Sequence, residues 1–323
     1  MSRIDACLDL MGRNGIDVML LGREANARTV VDASRLWLAG TRVFSPACVV
    51  VRRSRAVHLL ANTDAVAPGL PVDRLYGLTW NPETLIAALR AIDGVSNARR
   101  VAVDGMSPMA RGIVAQIAPE AELVDAGALF AALWAIPDPE KTTGVPRAAV
   151  VARAGLEAMI SRLHPGATAR QLRGLCAEAF ASHGVTTPAF EAVAAALGPG
   201  ASTWLPPERP LEEDERVVLR SGALCEGWEA SLARTYTVAR RPVPQPDPSA
   251  WSEMLAACTA GTAVGDLRAR GIVYGAGRGI EAWSDDFALV PGLMAAIECR
   301  DGDTLRQDVV RITEREPVIV TAA

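Results

Sequence analysis

The side chains that most often perform chemistry are scarce in this chain, and their scarcity narrows the options. Lys141 is the only lysine, every other member of the 33 Lys and Arg residues being arginine, so a Schiff-base mechanism must use Lys141 or none. Histidine occurs three times, at His58, His164 and His183, without metal-ligand spacing. The six cysteines, Cys7, Cys48, Cys176, Cys225, Cys258 and Cys299, form no CxxC pair and read as free thiols. Zinc-ribbon, disulfide-scaffold and histidine-dependent triad chemistries lose their support on these counts. The formal net charge is −4 with no basic stripe, which sets nucleic acid aside as a partner.

The elements that position any site come next. With 323 residues, half of them hydrophobic and 22% charged, the chain has an ordinary globular composition and enough apolar surface for two domains. No apolar run approaches the ~20 residues that span a bilayer. The first six residues lack a signal-peptide pattern, so the reading is a cytoplasmic protein with no membrane partner. Ile4, Cys7, Leu8 and Met11 mark one face of an amphipathic helix, Arg3–Arg13. Residues 17–21 read as a buried strand, 47–51 and 56–60 as a hairpin, and 101–104 as a further strand. Helices are expected at 82–92 and 109–117. These make an α/β domain over residues 1–135.

Pro137 and Pro139 mark a boundary, and residues 139–323 form the second domain. A long helix is expected over 140–163, with Pro146 delaying its start. Thr168 and Gln171 form a capping box for a second helix ending at Gly184. His164 and His183, at the two helix ends, read as capping residues, and His58 as structural. Strands are then expected at 216–220, 232–238, 295–299 and 308–313, interrupted by a helix over 249–258. Two helices followed by an antiparallel set give an α+β class.

Four segments of this half carry a resemblance. Residues 222–235 run Gly-Ala-Leu-Cys-Glu-Gly-Trp-Glu-Ala-Ser-Leu-Ala-Arg-Thr, and 274–281 run Tyr-Gly-Ala-Gly-Arg-Gly-Ile-Glu. Residues 296–298 are Ala-Ile-Glu, and 306–314 run Arg-Gln-Asp-Val-Val-Arg-Ile-Thr-Glu. In order and spacing they resemble the DxGAxxxGYxxDxTRT, GHGxG, xxE and REDxvxVTE segments of metallopeptidase family M24. That family includes the Xaa-Pro peptidases, methionine aminopeptidase and creatinase. Gly15-Ile16-Asp17 and Arg23-Glu24-Ala25-Asn26 resemble the creatinase-type amino-terminal domain. The resemblance implies a creatinase-like N-terminal α/β domain, a pita-bread C-terminal domain and a homodimer.

The family's chemistry does not carry over with the fold. Metal-bearing relatives use two Asp, one His and two Glu, and the matching positions here hold Arg220, Ser231, Ala276, Glu298 and Gln307. A guanidinium cannot ligate a metal and repels one. The position of the catalytic histidine falls near Leu205, and residues 283–286, where another histidine is usual, have none. Creatinase works without metal, but its imidazole base is missing here too. No metal and no other cofactor is therefore expected.

If the strands converge as the resemblance implies, Arg220 must balance Glu298. Two readings of that pair stand. In one it is a salt bridge filling a dead site. In the other, Arg220 binds a substrate carboxylate and Glu298 acts as acid or base. Ser231, Gln307, Arg278, Trp204, Trp228 and Arg35 are the candidate substrate-binding residues. Arg35, Trp37 and Arg42 belong to the segment that reaches the partner subunit's pocket in creatinase-like dimers, although surface arginines and a core tryptophan are the plainer reading. Cys225 and Cys299 lie beside the motifs as small buried residues or nucleophiles. Glu226 and Glu229 read as rim groups, and Asp308 as a structural hydrogen-bond acceptor.

The expected function is a metal-independent enzyme acting on a small polar carboxylate- or amide-bearing molecule. C–N hydrolysis, elimination, isomerisation and cyclisation all fit. The arginine bias fits a GC-rich genome and a place in specialised metabolism. The alternatives are a non-catalytic pseudo-peptidase with a binding or regulatory role, and a metalloenzyme with relocated ligands.

Overall fold

A computed structural model describes residues 2–31, 48–60, 69–77, 79, 81–104, 108–186, 188–189, 192–198, 201–204, 206 and 208–322, with backbone alone at 109–110, 193, 196–198 and 201–204. The chain divides into two compact units, Met1–Ile136 and Pro137–Ala323. Among the described residues no helix is long and apolar enough to cross a membrane.

The first unit comprises α1 (Arg3–Arg13), β1 (Val18–Leu21), α2 (Glu24–Val31), β2 (Cys48–Val51), β3 (Ala56–Leu59), α3 (Pro82–Ala91), β4 (Arg100–Asp104), α4 (Pro108–Ile117), β5 (Glu122–Asp125) and α5 (Gly127–Trp134). Its five-stranded sheet has the order β3-β2-β1-β4-β5, with β1, β4 and β5 parallel and the β1–β2–β3 edge antiparallel. Strands β1 and β2 are buried along their whole length, which is why they read as continuous apolar runs. Ser2 caps α1 through the Asp5 N–H; Cys7, Leu8 and Met11 of the predicted face are buried together with Ala6, while Ile4 is half-buried. At the end of β4, Asp104 accepts from Asn26 Nδ2 at 2.5 Å and from the Arg23 N–H at 3.1 Å, which ties β4 to the β1–α2 turn. His58 meets Tyr76 Oη at 3.2 Å, a structural contact as expected.

The second unit comprises α6 (Lys141–Ile160), α7 (Ala169–Ser182), β6 (Val193–Gly198), β7 (Ala201–Trp204), β8 (Arg216–Cys225), β9 (Trp228–Thr237), β10 (Val243–Pro244), α8 (Trp251–Ala257), α9 (Val264–Arg268), β11 (Ile272–Ala276), β12 (Ile280–Glu281), β13 (Met294–Asp301), β14 (Thr304–Arg311) and β15 (Val318–Ile319). The main path of its antiparallel sheet runs β12-β11-β13-β14-β9-β8-β6-β7, with β10 on β9 and β15 on β14. The β8–β9 hairpin is closed by Glu226 and Gly227, both at positive φ (49° and 84°), as a tight two-residue turn requires.

Helices α6 and α7 cover one face of β8 and β9, burying Leu156, Met159, Leu172 and Phe180 against Val217, Leu219, Ala223 and Leu232. Their close approach depends on Gly155, where a Cβ would lie 2.4 Å from Phe180 and 2.7 Å from Cys176 Sγ. Thr168 and Gln171 form the complete capping box. Three local expectations are corrected. Pro146 does not delay α6, which begins at Lys141 because that residue is anchored by a buried ion pair, while Pro146 costs only one helical hydrogen bond. His164 lies beyond the end of α6, with Nδ1 2.9 Å from Pro165 O, and does not cap it. The strands expected at 216–220 and 232–238 fall on the halves farther from the turn of two ten-residue strands that extend to the hairpin, the second ending at Thr237.

Candidate functional site

Strand register brings the sequence candidates together. Glu298 on β13 stands opposite Gln307 on β14, Gln307 opposite Ala233 on β9, and Ala233 opposite Arg220 on β8. Directly opposed residues share a face, and the two-residue period adds Ser231 to it. Tyr274 on β11 pairs with Ala296, two residues before Glu298, and so joins the same face. The neighbouring Leu219 belongs to the opposite face, under α6 and α7. A small apolar cluster of Ala195, Val218, Ala233 and Leu305 packs beside them.

Arg220 donates from Nη2 to Glu298 Oε2 in a charge-assisted pair. The pair is only partly closed, since the Arg220 side chain is 26% exposed and Glu298 12%. Behind it Gln307, fully buried, spends both hydrogens of Nε2: one on Tyr274 Oη at 2.8 Å and one on Ser231 Oγ at 3.0 Å. Burial is the main influence on the Tyr274 phenol and raises it above its ordinary range. A hydrogen bond from Ser231, the Arg220 charge and the Gln307 hydrogen bond oppose that rise, and the Glu298 charge adds to it. At neutral pH the phenol keeps its proton. Sequence reasoning passed over Tyr274, because a tyrosine before a glycine-rich turn looks like ordinary strand filling.

The backbone carrying Gln307 is fixed from the next residue. Buried Asp308 accepts from Arg234 at 2.7 Å, Arg306 at 2.8 Å and Thr321 at 2.7 Å, the structural role expected of it. Arg234 also donates to the Gln307 carbonyl at 2.7 Å.

A second polar group underlies the glycine turn after β11. Lys141 Nζ donates to Glu281 Oε1 at 2.5 Å, with side chains only 4% and 5% exposed. The turn closes over them because Gly277 has no Cβ; one there would lie 2.3 Å from Glu281 Oε1. Lys141 is thus committed to an ion pair and is not presented as a Schiff-base amine. The one sequence signal for this was a single lysine in an otherwise all-arginine chain.

Other candidates are placed differently. Arg278 lies over the Trp228 ring, 4.3 Å from its centroid, with Glu140 at 3.5 Å. Trp228 packs with Val145, Ala148 and Ala149 of α6. The two therefore engage each other beside the turn. Glu226 is exposed and pairs with Arg147 at 2.7 Å. The Glu229 N–H donates to Gly277 O at 2.8 Å. Burial raises the Cys225 thiol and pushes Cys299 up to about 11, so neither is a thiolate nucleophile at neutral pH. None of the three histidines lies on a strand of the second sheet. The side chain of Trp204, on β7 opposite Ala195, and the whole of Arg35, Trp37, Arg42 and Leu205 lie outside the described residues.

The donor set does not fit a pair of hard divalent ions. Such ions need several converging carboxylates, and Glu298 is the one carboxylate here, already carrying a guanidinium. Gln307 presents N–H groups to its neighbours, and Ala276 has no donor at all. Among the described residues no group of three or more His, Cys, Asp or Glu could hold a metal ion.

Fold and site together define a two-domain pita-bread chain whose metal-ligand positions hold other chemistry. The family model "Metallopeptidase family M24" matches residues 144–271, and "Creatinase/Prolidase N-terminal domain" matches residues 3–136. The chain belongs to the M24 family in its creatinase-like form. Among solved structures it is similar to a prolidase from Pyrococcus furiosus (16% identity, 99% of each chain, TM-score 0.73). It is also similar to a prolidase from Pyrococcus horikoshii OT3 (14% identity, 100% of this chain and 99% of that one, TM-score 0.76). The dipeptidase PepE from Mycobacterium ulcerans is a third (17% identity, 99% and 95%, TM-score 0.67). At these identities the likeness is one of fold. No curated protein sequence matches the chain significantly.

Proposed function

We propose that this chain is a metal-independent enzyme on an M24 scaffold, acting by proton transfer on a small polar molecule that bears a carboxylate or amide. The observation that carries the reading is the Arg220–Glu298 pair at the ligand positions of the family, with the guanidinium the more exposed partner. A substrate carboxylate reaches the open side of Arg220 and competes with Glu298 for it. Glu298, with its cation shared and a second anion alongside, becomes the proton-carrying group. Ser231 and Gln307 stand behind the pair and fix its surroundings. Peptidase-type C–N hydrolysis is the family's chemistry and the first reaction to test, followed by elimination, isomerisation and cyclisation. A cytoplasmic homodimer belongs to the same proposal.

The test starts from full-length protein dialysed against chelator and analysed for metal. A panel of dipeptides, N-acyl amino acids and guanidino acids is then screened for thermal stabilisation and turnover. Turnover should persist without metal, Arg220→Met should raise KM, and Glu298→Gln should lower kcat by about 10²-fold or more. Stoichiometric divalent ion retained after dialysis, or an unchanged Glu298→Gln enzyme, overturns the proposal. A pseudo-peptidase is the second reading, favoured by the fact that Arg220 and Glu298 already satisfy one another. Binding without turnover across the panel would select it.

A further inference from the structure

The hydrogen-bond directions behind the ion pair point outward from Gln307. Its Nε2 has two hydrogens and two acceptors, Tyr274 Oη and Ser231 Oγ. Its Oε1 is buried with no hydrogen-bond partner. Exchanging the amide nitrogen and oxygen would spend both hydroxyl protons on Gln307 and strand two buried N–H groups in place of one carbonyl oxygen. The orientation with the amide donating leaves fewer groups unmade. The phenol oxygen thus receives a donor from Gln307, and its own proton is left to give away. Tyr274 also lies within the electrostatic reach of both Arg220 and Glu298.

We propose that Tyr274 is a catalytic residue of this site: its phenol O–H, set by Gln307, donates to a carbonyl or carboxylate oxygen of the substrate held by Arg220. The inference rests on the reading of this sheet face as an active site and adds the group that polarises the reacting oxygen, a task for which the chain has no histidine at hand. The donor received by the phenol oxygen makes its O–H a stronger donor, because a chain of hydrogen bonds polarises in one direction. Preorganised donors of this kind act where charge develops on oxygen. Gln307 is a positioning residue: it acts through Tyr274.

The probe is N-acetylglycine, which carries both an amide oxygen and a carboxylate, titrated into full-length protein labelled with 13Cζ-tyrosine. Only three tyrosines are present, Tyr76, Tyr236 and Tyr274, and Tyr274→Phe assigns the third resonance. Binding should move the Tyr274 signal and leave the other two in place. Tyr274→Phe, which keeps the ring, should weaken binding roughly tenfold to a hundredfold, as loss of a hydrogen bond to a charged or polarised oxygen does. Binding that depends on Arg220 but leaves the Tyr274 signal unmoved, or that Tyr274→Phe does not weaken, overturns the role of Tyr274 while the reading of the site stands.

Absence of any binding counts against the site reading, and the free protein then decides the donor arrangement by itself. The length-conserving Gln307→Met removes a donor to the phenol oxygen, so the Tyr274 titration should move to higher pH, a shift that a merely structural Gln307 gives no reason to expect. A move to lower pH means that the phenol proton was spent on Gln307, and the proposal falls.

Discussion

Replacing Lys141 by methionine is the most severe single test of the second unit. Lys141 and Glu281 lie 2.5 Å apart, each at most 5% exposed. A Cβ on Gly275 or Gly277 would come within 2.7 Å of the Glu281 carboxylate, and Trp283 lies against the same turn, so there is little room for water to replace the ammonium. Methionine keeps the length of the side chain and removes only the charge. The carboxylate is then buried without its cation, which costs about 3–5 kcal/mol, against 0–1 kcal/mol for an exposed pair. At 2–4 °C per kcal/mol for a domain of this size, the melting temperature should fall by roughly 6–20 °C. Urea and thermal unfolding of the full-length wild type, Lys141→Met, Glu281→Leu and the double variant complete a double-mutant cycle. The double variant should recover most of the loss, because an apolar pair leaves no stranded charge. A Lys141→Met loss below about 1 kcal/mol, or a double variant no better than Lys141→Met alone, would refute the assignment of this pair as a buried structural anchor.

Four further outcomes follow from packing, capping and ionisation. Gly155→Ala places a methyl 2.4 Å from Phe180 and 2.7 Å from Cys176, and urea unfolding should show a loss of about 1–3 kcal/mol. Thr168→Ala removes half of a complete capping box and should cost about 1 kcal/mol, whereas Thr168→Ser should cost less. Burial pushes the Cys7 and Cys258 thiols up to about 12 and Cys299 to about 11 from an ordinary 9.0. The folded state holds these protons where the unfolded chain releases them, so stability should fall as pH rises above about 9 and keep falling towards 11. Melting curves from pH 7 to 10.5 check this, with a shallower decline expected in Cys258→Ala. In the native protein at pH 8 these three thiols should resist alkylation, and rapid labelling would contradict their burial.

The elements read correctly from sequence are those with local causes. Helix α1 follows from Ile4, Cys7, Leu8 and Met11 and its Ser2 cap; α7 follows from Thr168, Gln171 and Gly184. Strands β1 and β2 follow from short continuous apolar runs. The β6–β7 hairpin was missed because its strands are mostly alanine, glycine and serine, which carry little strand preference and no alternation. Strand β12 is only two residues long and exists because the glycine turn folds back on β11. For the site, motif order pointed to Arg220, Ser231, Glu298 and Gln307, and strand register does bring them together.

Residue types by themselves determined what stands at the family's ligand positions, where Glu298 is the one carboxylate and no imidazole occurs, and that the chain has a single lysine. They also determined where helices start and stop, since caps and apolar spacing act over a few residues. Only the tertiary structure decided which side chains answer one another. It placed Tyr274 and Ser231 on the two hydrogens of the Gln307 amide, and it tied Lys141 to a carboxylate 140 residues away. It also turned Arg278 onto Trp228. Those pairings arise from strand register and from space left by glycines, and neither quantity is carried by a residue in isolation.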